Sequence, residues 1–130
     1  MKSVVISQPG DPEVLSLAER PEPPCGEQDV LLRVKAAGVH RADLMQRQGR
    51  YPAPAGAPAD IPGLEVAGVV ERCGAAVARW KPGDAVCALL SGGGYAEFAA
   101  VDARHCLPVP QGVSFGASGA LPEAVFTLRS

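Results

Sequence analysis

The sequence predicts a mainly β domain: a small, partly open barrel of short strands with minor helices. Three observations predict it. Apolar residues recur in short runs of about five to eight, each bounded by turn-forming residues. Fifteen glycines and 13 prolines in 130 residues favour many turns over long helices. No period of about 20 to 50 residues repeats, and no low-complexity block interrupts the pattern, so a repeat architecture or a disordered tail is not indicated. The length suits a single core.

Residues 2–7 (KSVVIS) and 14–19 (VLSLAE) are strand-like and flank QPGDPE, whose Pro, Gly and Asp suit a turn, so the chain opens on an antiparallel hairpin. After the breaker cluster PEPPCGEQ, DVLLRVKAAGV places Val30, Leu32 and Val34 on one face and Leu31, Arg33 and Lys35 on the other. That period of two marks a half-buried central strand. RADLMQRQ holds good helix formers and stops at Gly49, the residue best suited to a left-handed helix C-terminus. YPAPAGAPADIP then carries four prolines in twelve residues and can continue neither helix nor central strand. β character resumes in LEVAGVVERCG, KPGD at 81–84 fits a type II turn, and AVCALL and YAEFAAV read as strands joined by the SGGG hairpin turn. A late helical pattern follows Ser114.

Bulk chemistry removes several functions. Twelve basic against 14 acidic residues give a formal charge of -2 with no basic stripe, so the attraction that dominates nucleic-acid binding is missing. MKSVVISQPG has too short an apolar run for a secretory signal, and AVCALL is far below the roughly 18 residues of a membrane-spanning helix. A cytoplasmic protein without nucleic-acid or membrane partners is expected. Cys25, Cys73, Cys87 and Cys106 form no CxxC pair and read as reduced thiols. No GxGxxG is present, so a Rossmann domain is absent from the expected fold.

The order GEQDVLLRVKAAGVHRADLMQRQGRYP, IPGLEVAGVV, WKPGDAVCALL, GGGYAEFAAV and LPEAVFT resembles the N-terminal half of a medium-chain dehydrogenase/reductase. Within that superfamily it is similar to the zeta-crystallin-like NAD(P)H quinone oxidoreductases of the tumour-suppressor-inducible subgroup. The resemblance spans residues 1–127. It implies a GroES-like, alcohol-dehydrogenase-type catalytic domain over residues 1–120, with 121–130 starting a hinge helix towards a Rossmann domain. It further implies NADPH as hydride donor, a quinone or small electrophilic carbonyl as acceptor, and a possible homodimer in the complete enzyme. Without a domain to hold nicotinamide at near-attack distance, about 3 to 3.5 Å, the isolated chain is expected to be inactive.

Zinc-dependent relatives take their catalytic ligands from positions matching His40, Leu64 and Glu123. Leucine has no lone pair, so no metal is expected, although His40 and Glu123 are competent ligands and Glu65 is adjacent. In place of a Lewis acid, charge left on the quinone oxygen needs a hydrogen-bond donor. Tyr51 is the predicted substrate-facing donor, against the alternative of an aromatic that only covers the barrel rim. His40 stands where the relatives carry asparagine, to hydrogen-bond the cofactor or deliver a proton, unless the backbone alone satisfies it. Thr127 is implied to approach the nicotinamide. Asp43, three residues after His40, would hold the imidazole or favour the helix N-terminus, and Glu65 matches a supporting acid behind the site. Arg41, Arg47 and His105 read as solvated surface. The alternative function is a stand-alone GroES-like binding or assembly module without redox activity.

Overall fold

The computed structural model describes residues 1–39, 41–49, 58, 60–110 and 112–118. Two sheets build the domain. The smaller pairs β1 (Lys2–Ile6) with β2 (Leu15–Glu19) antiparallel, the hairpin that the turn residues 8–13 predict. The larger has five strands: β3 (Asp29–Ala37), β4 (Glu65–Cys73), β5 (Ala85–Leu89), β6 (Phe98–Asp102) and β7 (Cys106–Pro108). Its order is β6-β3-β4-β5-β7, every pairing is antiparallel, and the sheet does not close. Helices α1 (Arg41–Arg47) and α2 (Phe115–Ser118) are both short.

The alternation in β3 places its residues as the period of two requires. Val30 and Leu32 enter the core with Val66, Val70, Trp80, Val86, Leu90 and Val101, and Val34 packs against it, while Arg33 and Lys35 are exposed. Leu31 departs from the pattern, being buried on the opposite face at 1% exposure. Burying side chains of this size contributes about 1.5 to 3 kcal/mol each, enough to make the β3–β4 pair the centre of the fold. Two register shifts, at Leu31/Leu32 and at Val34/Ala36, interrupt the ladder of this pair, the kind of irregularity that bends a strand.

The SGGG segment is not a hairpin turn, contrary to the sequence expectation. One edge of β5 is occupied by β4 and the other by β7, so β6 has no place beside it and pairs with β3 instead. The glycines therefore cross the end of the sheet, hydrogen-bonding residues 61–63 on the way: Gly93 N–H to Ile61 C=O at 2.8 Å, Gly94 to Gly63 at 3.1 Å and Tyr95 to Pro62 at 3.0 Å. The KPGD turn forms as expected, with Asp84 N–H donating to Lys81 C=O at 3.1 Å.

Candidate functional site

The lip of the barrel is built where β3 ends and β4 begins. Gly38 N–H donates to Glu65 C=O at 3.1 Å, closing the last rung of the pair. The Glu65 side chain, fully buried, lies against the Gly38 α-carbon so closely that a β-carbon there would overlap its Oε1. Gly38 is thus required by close approach, and Glu65 supports the chain from beneath. Val39 then emerges 75% exposed, and α1 starts at Arg41.

Helix α1 ends as the sequence predicts. Gly49 takes φ +79° and returns its N–H to Gln46 C=O at 3.0 Å, stopping the helix in the left-handed conformation that glycine adopts without penalty. Ties to other elements hold the helix among the described residues. Arg47 donates from Nε to Gly10 C=O at 3.1 Å while Gly10 N–H donates to Arg47 C=O at 2.9 Å, so this half-buried arginine anchors α1 to the N-terminal hairpin rather than lying free in solvent. Asp43, 4% exposed, accepts a 2.6 Å hydrogen bond at Oδ2 from the Tyr95 hydroxyl. Burial, reinforced by that bond and by the nearby Asp43 charge, pushes the Tyr95 phenol far above its ordinary value of 10.0.

His40, Tyr51, Thr127 and Glu123 lie outside the described residues. Asp43 and Glu65 are brought to the same lip, both withdrawn from the surface. His105 is exposed and remote from it, and Leu64 is half-buried with its carbonyl accepting from Leu90 N–H at 2.7 Å. Among the described residues no three His, Cys, Asp or Glu side chains converge on a point. Tyr95 is the residue that sequence reasoning missed. Its only local signal is a hydroxyl-bearing aromatic directly after a glycine run, and its partner is 52 residues away.

An open cleft of about 500 Å³ lies at the other end of β3, lined by Gln28, Val77, Arg79, Asp102 and Arg104. Its charges are already engaged. Arg104 forks onto Asp102 at 3.0 and 2.8 Å, holding that carboxyl well below the usual range, and Arg79 stacks over the Trp80 ring at 4.9 Å. The lip, in contrast, leaves Val39 and Leu44 uncovered at 75% and 45% exposure.

Residues 26–111, which hold the five-stranded sheet and α1, match the alcohol dehydrogenase GroES-like domain. The chain belongs to that family. Among relatives of this GroES-like domain, it is 35% identical over 129 residues to the quinone oxidoreductase of Rattus norvegicus, covering 98% of this chain and 39% of the relative. It is also 35% identical over 124 residues to the synaptic vesicle membrane protein VAT-1 homolog-like of Mus musculus, covering 94% and 29%. Its fold superposes on the Escherichia coli quinone oxidoreductase complexed with NADPH at a TM-score of 0.80 and 28% identity, over 91% of this chain and 36% of that one. The GroES-like domain described here therefore spans well under half of each of these proteins.

Proposed function

We propose that this domain is the substrate-side wall of a zinc-independent, NADPH-dependent quinone oxidoreductase, which delivers hydride to quinones or related electrophilic carbonyls. The carrying observation is the lip itself: the Asp43 and Glu65 carboxyl groups are drawn inward, while Val39, Arg41 and Leu44 are exposed along it. A planar apolar ring, and the negative charge that forms on its oxygen, can approach such an edge without meeting a like charge. Similarity to the rat quinone oxidoreductase and to the NADPH-bound E. coli structure supports the substrate class and the cofactor.

NADPH, when bound, supplies the hydride; residues of this chain handle the oxygen. Tyr51 is the proposed donor to the developing oxyanion, and His40 hydrogen-bonds the cofactor or passes on a proton. Thr127 is proposed to touch the nicotinamide from a hinge helix over 121–130, following the domain proper at 1–120. Leu64 occupies a position at which zinc enzymes need a ligand, which supports chemistry without a metal. A cytoplasmic, homodimeric complete enzyme goes with this reading. The test is NADPH consumption with 1,4-benzoquinone by the chain completed with a cofactor-binding domain, in the presence and absence of a chelator. Turnover indifferent to the chelator is expected, as is no quenching of NADPH fluorescence by the 130-residue chain alone. A completed protein that binds NADPH but leaves quinone unreduced, or that chelation silences, would overturn the proposal.

A further inference from the structure

Helix α1 has seven residues, far below the roughly 12 to 15 at which a helix persists on its own in water. Its apolar contribution is also small, since Leu44 is exposed and the two buried side chains are the polar Asp43 and Gln46. What orients it must therefore be specific polar ties.

Tyr95 is built to provide one. Its N–H donates to Pro62 C=O at 3.0 Å, its C=O accepts from Val4 N–H at 2.8 Å, and the next residue, Ala96, bridges to Ser3. Just before it, the Gly94 backbone seats against Gly63, where a β-carbon would stand only 2.6 Å from the Gly94 α-carbon. The main chain at Tyr95 is thus pinned both to β1 and to the segment that leads into β4. From that fixed base the phenol reaches α1 and meets the Asp43 carboxyl at 2.6 Å, one turn into the helix that follows His40.

We propose that Tyr95 is a positioning residue: acting through Asp43, its hydroxyl sets the orientation of α1 against the end of the sheet. The consequence for catalysis rests on the function proposed above; the latch itself does not.

Amide hydrogen exchange in the 130-residue chain tests the latch. Tyr95→Phe keeps the ring and removes only the hydroxyl, so packing is preserved. Exchange of the α1 amides should quicken about 10-fold or more relative to β4, the size expected for a hydrogen bond to a charged group. Asp43→Asn, which keeps an acceptor oxygen, should stay nearer the unmodified rate than Asp43→Ala. Unchanged α1 exchange in Tyr95→Phe overturns the latch. A second reading works even if Tyr95→Phe fails to fold. Tyr51 and Tyr95 are the two tyrosines of the chain, so in a Tyr51→Phe background the 295 nm absorbance titration reports Tyr95 alone. Its ionisation should move to lower pH when Asp43→Asn removes the facing charge, and no movement overturns the contact. In the quinone-reducing protein, Tyr95→Phe should lower kcat about 10-fold with NADPH affinity unchanged. Loosened α1 exchange with unchanged kcat overturns the positioning role. Absence of quinone turnover in the unmodified protein overturns the proposed function, while the exchange and titration results still decide the latch.

Discussion

At position 38 a hydrogen atom is all the side chain that the fold accommodates, because the Glu65 carboxyl occupies the space a methyl group would need. Gly38→Ala should therefore destabilise the domain by about 1 to 3 kcal/mol, the usual cost of overpacking, read as a lower urea midpoint at constant slope. Tyr51 makes the complementary prediction on function. If its phenol meets charge that appears only in the transition state, Tyr51→Phe should cut quinone turnover about 10²-fold in the completed enzyme while NADPH affinity stays near its original value. Unaltered turnover would return Tyr51 to packing on the rim. A residue is legible where it belongs to a local motif, as Gly49 does at the end of α1. Tyr95 is not, since hydrogen-bond partners 52 positions apart leave no spacing for a sequence to display.

Helices and strands were read from the chain with more success than their neighbours in space. The alternation in β3 and the Gly49 stop of α1 are local consequences of side-chain period and backbone freedom, and both are realised. Strand β3 should also show the sharpest contrast in mutational cost. Leu32→Ala, at a fully buried position between β4 and β6, should cost about 2 to 5 kcal/mol in equilibrium unfolding. Leu17→Ala on β2, 75% exposed, should change stability by less than about 0.5 kcal/mol. The glycine segment before Tyr95 shows the limit of local reading. A glycine run between two strand-like stretches is compatible with a hairpin or a crossover, and the choice was made by β7 occupying the free edge of β5. Arg47 makes the same point, because its anchor at Gly10 belongs to a different element.

For the whole molecule, proton linkage sets a boundary at alkaline pH. Burial pushes the Cys106 thiol from its ordinary 9.0 up to about 12, with Cys87 and Asp102 adding to the effect and Arg79 opposing it. Burial also raises Cys87, and Tyr95 lies far above 10.0 for the reasons given. Each of these groups keeps its proton in the folded state after the unfolded chain has lost it, so the unfolded state binds fewer protons and stability falls as pH rises. The contribution is complete below pH 9.0 for Cys106 and is lost progressively towards about 12. The melting temperature should accordingly drop between pH 8 and pH 10.5, and Cys106→Ala should flatten that slope even though the variant starts from a lower stability. An equally steep slope in Cys106→Ala would remove this thiol from the account. By itself the sequence determined most of the elements, the β class and the family resemblance, since period, turn chemistry and motif order act over a few neighbouring residues. Only the tertiary structure decided the strand order, the inward turn of Asp43 and Glu65, and the arm from Tyr95 that holds α1, because each depends on which distant surfaces compete for the same buried space.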